Sequence, residues 1–420
     1  MTADPAVLLD VSRLLSRLNK GPATGIDRVE AEWLAELSAS RTPHLLLARG
    51  RRCQLLLPAE AGPAILRWSR GELDDLPPIA LVDRLRGRSG AHLRAERHLR
   101  QMAILRSPAT GGGIANRVID LLGGRAVYLN VGHSNLTQGL WRALHPLCRV
   151  ALIHDTIPLD HPEFTRAGQS EKFRDRFIAA VGEADLVLTI SQATRNAVIA
   201  WRDRLNLPAN APVVTAPIGT RLTKAEPGRL PDRLALDRPY FVTLGTIEPR
   251  KNHALLLDVW DELSRRLPAD ALPRLFIIGR RGWENRETFA RLDRLPADGV
   301  IRELSGLDDG QVAALLEHSH GMLMPSRAEG FGLPYTEAAA RGVPVICAPL
   351  PVARELLGSY ARYHSPDDCQ SWADCLADIA AAPAIRLSPQ VVPEWNAHFA
   401  LVRKAMQERL PVHLSADMPR

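Results

Sequence analysis

Glu329 and Glu337, separated by seven residues, bracket the stretch Gly330-Phe331-Gly332-Leu333-Pro334-Tyr335-Thr336. Ahead of it, residues 321–325 form a short apolar run that reads as a buried parallel strand. Behind it, a helix of small residues ends at Gly342, and 343–346 reads as the next strand. Pro334 suits the first helical turn, where a missing N–H costs nothing. Gly330 and Gly332 let the backbone approach a ligand or take a positive φ. A helix N-terminus with free N–H groups attracts an anion such as phosphate. The two acids suit hydroxyls instead, because an ionised carboxylate accepts two O–H donors at once. A phosphate cradle flanked by two hydroxyl acceptors describes a nucleotide-sugar site.

A second strand–loop–helix junction supplies cations. The apolar run 240–244 leads into Gly245-Thr246-Ile247-Glu248-Pro249-Arg250-Lys251-Asn252 and then a helix over about 253–266, with Asn252 as the expected N-cap. A diphosphate carries about two negative charges, which Arg250, Lys251 and the helix dipole can balance without a metal. The run 275–278 repeats the pattern and places Gly279 near the nucleotide. In the first half, 126–131 runs into Gly132-His133-Ser134, 150–153 into His154-Asp155, and 186–190 into Ser191. Ligands of open parallel sheets gather beyond such strand ends.

These junctions need a scaffold of alternating strands and helices, hence an α/β fold. The expected order is a strand at 6–10, a turn through Gly25, and a helix over 26–37 with Ile26, Val29, Trp33, Leu34 and Leu37 apolar. Runs 45–48 and 54–57 read as a hairpin at a sheet edge. A basic insertion follows near 59–113. Within it, 81–106 carries Arg84, Arg86, Arg88, Arg94, Arg97, Arg100 and Arg106, a candidate for docking on an anionic membrane. After a strand at 212–217, a Pro- and Gly-rich stretch, 218–238, separates the halves. The expected division is a first domain over 1–225, a second over 236–392, and a C-terminal helix and tail over 393–420. Trp395, Phe399, Val402 and Met406 recur at helical spacing in that helix.

Length and composition set the outer bounds. A chain of 420 residues, 46% hydrophobic and 24% charged, fits two or three globular domains. The net charge of +6, almost all from arginine, favours anionic partners. Five scattered cysteines form no C-x-x-C pair, which argues against a disulfide framework or zinc site and for a reducing compartment. No apolar run approaches a membrane span. The expected location is cytoplasmic, with peripheral attachment to the inner face of the membrane as a further option. With 5% aromatics and no recognition module, nucleic acid is not an expected partner.

The string from Glu329 to Glu337, with the following Ala-Arg-Gly-Val-Pro-Val-Ile, resembles the E-x7-E signature of retaining glycosyltransferases of the GT-B fold, in particular family 4. The resemblance implies two Rossmann-like domains facing a cleft, with the last helix crossing back onto the first. It covers the second half densely and the first thinly, which implies donor binding in the second and acceptor binding in the first. The segment from Gly245 to Asn252 is similar to the family's donor-diphosphate loop, although Thr246 stands where many members carry arginine. On this resemblance Lys251 and Arg250 hold the diphosphate, and the backbone of Gly330, Phe331, Gly332 and Leu333 contacts phosphate and sugar. Glu337 takes the ribose hydroxyls and Glu329 the donor sugar. The His154-Asp155 stretch resembles the family's His-Asp stretch, which implies that His154 faces the transferred sugar. Gly25-Ile26-Asp27-Arg28 resembles the first cleft loop, so Gly25, Arg28, His133 and Asp155 are candidate acceptor contacts. No metal or other cofactor is implied. The Glu-Pro-Arg-Lys-Asn form looks most like bacterial mannosyltransferases of surface polysaccharide, which implies hexose transfer from GDP-mannose to a glycan or lipid-linked acceptor. The alternatives are a catalytically inactive nucleotide-sugar-binding scaffold and a nucleotide-sugar epimerase of similar fold.

Overall fold

The computed structural model describes residues 4–21, 23–78, 90–231, 234, 236–296 and 298–410. Its strands are β1 Ala6–Asp10, β2 His44–Arg49, β3 Cys53–Pro58, β4 Leu105–Pro108, β5 Ala126–Asn130, β6 Cys148–Ile153, β7 Leu186–Thr189 and β8 Val213–Thr215 in the first half. The second half has β9 Tyr240–Leu244, β10 Arg274–Ile278, β11 Ile301–Leu304, β12 Gly321–Met324, β13 Val345–Cys347 and β14 Arg362–Tyr363. They form two sheets, ordered β4-β3-β2-β1-β5-β6-β7-β8 and β11-β10-β9-β12-β13-β14. The second is parallel throughout, and the first is parallel from β2 to β8.

Both sheets are covered on both faces, so their central strands are apolar without alternation. Side chains of β1 divide by parity, Val7 and Leu9 into one core and Ala6 and Leu8 into the other. In β9, Tyr240, Val242 and Leu244 face one core and Phe241 the opposite one. Each order reverses beside its first strand. The reversal lies between β1 and β5 in one sheet and between β9 and β12 in the other, the places where α/β sheets open a ligand crevice. The loop after β9 carries the cationic pair, and the loop and helix after β12 carry Glu329 and Glu337.

The helix Trp395–Arg409 lies on the first half. Phe399, Val402 and Met406 join the core of that half, and the Trp33 ring meets Phe399 edge-on at 4.9 Å. Trp33 Nε1 donates to His398 Nε2 at 3.1 Å, so the proton of the neutral His398 ring sits on Nδ1, 3.1 Å from the Ala216 carbonyl.

Three local expectations change. β2 and β3 pair antiparallel, but β4 adds outside β3, so the hairpin is not the edge. Asn252 stands at its cap position with φ 55° and caps nothing with its side chain; its Nδ2 donates instead to the Pro325 and Pro366 carbonyls at 3.3 and 2.9 Å. Arg84, Arg86 and Arg88 lie outside the described residues. The rest of the basic segment does not present a free amphipathic face. Helix Ala91–Met102 buries Ala91, Ala95 and Leu99 in the core, Arg94 donates to the Leu76 and Pro77 carbonyls, and Arg100 pairs with Glu96.

Candidate active site

The loops after β9 and β12 meet through charge. Lys251 Nζ lies 2.5 Å from Glu329 Oε1, and Arg250 Nη1 lies 2.8 Å from Glu329 Oε2. Arg250 also donates through Nη1 to the Ala328 carbonyl at 2.9 Å and through Nε to Glu248 at 2.5 Å. The Glu329 side chain is 5% exposed. Burial opposes its ionisation, but Lys251 and Arg250 outweigh that and hold its pKa down at about 2. Burial disfavours the ammonium of Lys251, and Glu329 offsets part of this. Gly245 takes φ 136°, and a side chain there would crowd Lys251 Cε at 3.3 Å. Gly279 packs against the Gly245 carbonyl, where a Cβ would come to 1.9 Å. Its place next to the cationic loop is therefore a backbone packing requirement.

The same β12 loop reaches the first half. A Cβ on Gly330 would lie 2.7 Å from the His154 carbonyl and 3.0 Å from Asp155 Cβ, so only a glycine passes. The Gly330 carbonyl accepts from Ser191 Oγ and Thr194 Oγ1 at 3.3 and 3.4 Å. Phe331 is buried in the apolar cluster of the first half, with Leu333 packed against it. Its ring is thus an anchor between halves, leaving the backbone of this loop for a ligand. Gly332 takes φ 88° at the start of helix Leu333–Ala340. Farther round, Glu355 of helix Pro351–Leu357 accepts from the Gln192 and Ala193 N–H groups at 2.7 and 3.0 Å, at the start of helix Gln192–Arg204.

Glu337 is met by Arg28, whose Nη1 lies 3.3 Å from Glu337 Oε1 while Nη2 lies 3.2 Å from Asp309. Burial raises the Glu337 pKa and Arg28 lowers it. Gly25 begins the helix that carries Arg28 and faces Leu333 across the cleft.

His154 and His133 form one edge-to-face pair, centroids 4.9 Å apart. His154 Nε2 lies 2.7 Å from the Val131 carbonyl, which can only accept, so the proton is on Nε2 and Nδ1 keeps its lone pair. The His154 N–H donates to His133 Nε2 at 3.1 Å. Burial lowers the His154 pKa to about 4 and pushes that of His133 well down, so both rings are neutral near pH 7. Asp155 accepts from the Ile157 N–H; burial raises its pKa, Arg250 lowers it, and Glu329 raises it further. His154 and Asp155 therefore stand opposite Glu329 and Arg250 across the contact at Gly330.

Several site residues have no local signature. Glu248 forms part of the Arg250 pair, and its only signal is its position two residues upstream. At the end of β1, Asp10 accepts from Tyr128 Oη and Asn135 Nδ2 at 3.0 and 2.8 Å, and Gln54 and Asn135 exchange amide bonds. Behind them Glu30 is fully buried, bonded at Oε1 to the Leu14 N–H and without a partner at Oε2. A Cβ on Gly132 would fall 1.7 Å from that oxygen. Burial, then the Asp10 charge, raises the Glu30 pKa well above the usual range. A cavity of about 200 Å³ opens beside this network, walled by Ile26, Phe173 and Phe177 and by Arg13, Arg176, His133 and Asp155. Among the described residues no group of three or more His, Cys, Asp or Glu is placed to hold a metal ion. No helix among them is long and apolar enough to cross a membrane.

Residues 230–384 match the family model described as Glycosyl transferases group 1. The chain is 30% identical over 260 residues to the serotype-specific mannosyltransferase WbdA of Escherichia coli, covering 59% of this chain and 30% of that protein. It is 30% identical over 227 residues to O-antigen chain mannosyltransferase B of Escherichia coli, covering 52% of this chain and 58% of that one. It thus spans less than two thirds of these relatives. Among solved structures, Anabaena HepE in complex with UDP-glucose aligns over 96% of this chain and 98% of its own, with a TM-score of 0.56 and 17% identity. OtsA in its apo form aligns over 78% of this chain and 77% of its own, with a TM-score of 0.51 and 14% identity. The fold is the GT-B fold, and residues 230–384 match the group 1 glycosyl transferase model.

Proposed function

We propose, for a chain of GT-B fold whose residues 230–384 match the group 1 model, the activity of a retaining glycosyltransferase. It moves a hexose from a nucleoside diphosphate donor to a glycan or lipid-linked acceptor in bacterial surface polysaccharide synthesis. Mannose from GDP-mannose is the favoured donor, on the Glu-Pro-Arg-Lys-Asn string and the mannosyltransferase relatives. One observation carries the reading. Lys251, Arg250 and Glu329 converge at the switch point of the second sheet, directly across Gly330 from His154 and Asp155.

In this reading the diphosphate lies against Lys251 and Arg250, which also stabilise the charge that develops as it leaves. Glu337 accepts the ribose hydroxyls once Arg28 yields. Glu329, still held by both cations, faces the donor sugar, and His154 Nδ1 accepts from a hydroxyl on the sugar's other side. The anomeric C–O bond to the diphosphate breaks while the acceptor oxygen bonds to the same face. The departing phosphate oxygen takes the acceptor's proton. Glu329 is a poor nucleophile here, since both its oxygens are held in ion pairs. A lipid-linked acceptor brings the enzyme to the membrane surface.

Thermal-shift measurements with GDP, UDP, dTDP and ADP on wild type and Lys251→Ala test the donor half. A ligand at about 100 times its Kd stabilises by roughly 2.7 kcal/mol. A shift with one nucleotide that vanishes in Lys251→Ala is expected, together with transfer of its sugar at retained anomeric configuration. No shift with any of the four, and no turnover, would sink the reading.

A further inference from the structure

His154 is held at two points, and both belong to one turn. Its Nε2 donates to the Val131 carbonyl at 2.7 Å, and its backbone N–H donates to His133 Nε2 at 3.1 Å. Gly132 is the residue between those two anchors. The turn needs support, because His133 takes φ 55°, a conformation that a residue with a side chain keeps only where its surroundings hold it. One side is closed by Asn130, whose Nδ2 donates to the Ser134 carbonyl at 2.7 Å. The other side rests on Glu30 of helix Gly25–Ala39. A Cβ on Gly132 would lie 1.7 Å from Glu30 Oε2, so the carboxyl occupies the space of a side chain there. Glu30 is fully buried; its Oε1 accepts from the Leu14 N–H at 2.8 Å, and its Oε2 has no partner. A buried oxygen without a partner costs free energy, and an apolar side chain would fill the same space without that cost. The charged groups that face it are Asp10 from β1, Arg13 from helix Ser12–Arg17 and Asp27 from its own helix, with the Tyr128 phenol from β5 nearby.

We propose that Glu30 is a positioning residue for His154, acting through Gly132: its carboxyl clamps the turn that carries both anchors and so sets the direction of Nδ1. The role of His154 toward a sugar comes from the transferase reading, on which this inference rests; the clamp itself stands on contacts within the first half. Only a neutral carboxyl serves. With Oε1 taken by the Leu14 N–H, the proton sits on Oε2, and burial and the Asp10 charge keep it there. A carboxylate would press a charged, unpartnered oxygen against backbone beside a second acid. The clamp accounts for two residue choices together. Gly132 lacks a side chain so that the carboxyl can reach the turn, and Glu30 is long enough to fill the gap that the glycine leaves.

The test follows the Nε2–H resonance of His154 by NMR in the full chain carrying isotope-labelled histidine, with the signal assigned by its loss in His154→Gln. Glu30→Gln keeps a neutral side chain of the same shape and should leave that signal in place. Glu30→Ala empties the space and should shift the signal or lose it to exchange with water. Gly132→Ala drives a methyl into the carboxyl and should do the same. Gly132 has no positive φ, so its backbone accepts alanine, and with Glu30 removed only Arg13 Cβ at 3.0 Å has to give way. In the double variant Glu30→Ala/Gly132→Ala the methyl takes the carboxyl's place, and the signal should return toward its wild-type position. Where Glu30→Ala does not fold, the double variant decides alone. An unmoved signal in Glu30→Ala, or a double variant no better than Gly132→Ala, overturns the proposal. The consequence for chemistry is read separately, as release of GDP from GDP-mannose with water as the acceptor. In Glu30→Ala, kcat should fall by about tenfold to a hundredfold while KM for the donor stays within about twofold, and Glu30→Gln should recover most of the rate. A rise in KM that matches the fall in kcat would make Glu30 a residue of general stability and overturn its positioning role. No release by the wild type would count against the transferase reading, and the ring-proton result would still decide the clamp.

Discussion

Replacing Glu329 by glutamine separates its role as a counter-ion from its role toward a substrate. Its two oxygens hold Lys251 and Arg250 at 2.5 and 2.8 Å in a nearly solvent-free setting. A carboxyl held at about 2 instead of its usual 4.5 corresponds to roughly 3 kcal/mol in favour of the charged form. The folded pKa lies below the unfolded one. The stabilisation is therefore fully present above 4.5 and is lost as the pH falls toward 2. Glutamine keeps the shape and removes the charge. Breaking a buried pair from one side costs about 3–5 kcal/mol, and the low end applies because Arg250 keeps Glu248 at 2.5 Å. At roughly 2–4 °C per kcal/mol, melting of the second half should fall by about 6–12 °C. A nucleoside diphosphate brings negative charge to the same two cations. Saturating nucleotide should therefore raise the melting temperature more in Glu329→Gln than in wild type, even though sugar transfer is lost. Differential scanning fluorimetry at pH 7.5, with and without the nucleotide, reads both effects. Unchanged melting in the variant, or equal ligand increments in the two proteins, would refute this account of the charge cluster.

Gly330→Ala would drive a Cβ to 2.7 Å from the His154 carbonyl, a backbone atom that cannot swing away; the halves should separate, with transfer down by about a hundredfold and a larger radius of gyration by X-ray scattering, and a variant of normal size and activity would contradict the contact. Arg28→Ala frees Glu337 from a half-exposed pair worth less than about 1 kcal/mol. Nucleotide affinity should then tighten by roughly twofold to fivefold by calorimetry, whereas weaker binding would make Arg28 a ligand contact. His398, His154 and His253 are lowered by burial to about 4, 4 and 3. The unfolded chain takes up these protons first, so stability present above 6.5 should drain away as the pH falls toward 4. In His398→Gln, part of the melting-temperature loss between pH 7 and 4.5 should disappear, and an unchanged slope would remove His398 from the cause.

The residues that were legible in the sequence are those whose job is done within one turn of chain. Lys251, Arg250, Glu329 and Glu337 sit on strand–loop–helix junctions, where an apolar run, a glycine and a helix start follow one another. The alternation that reveals those junctions also requires parallel sheets, so the fold and the position of these loops were readable together. The failures have one common cause. Asn252 had the right residue type for a cap, but its positive φ turns the side chain to two carbonyls of neighbouring loops instead. The ring of Phe331, between the two glutamates, packs in the core of the other half, which its position in the string does not show. The Asp10, Tyr128, Gln54 and Asn135 network draws on four separate stretches, and Glu30 is meaningful only because Gly132 leaves room for its second oxygen. In the sequence Arg176 is one of two arginines on the helix Gln169–Glu183, with nothing local to single it out. What distinguishes it is that no acid among the described residues pairs with it, and that depends on how separate elements pack. Backbone loops at strand–helix junctions leave a local pattern, because the same turn must be made each time. Side chains brought together from separate elements leave no local pattern, which is why the second half read densely and the first did not.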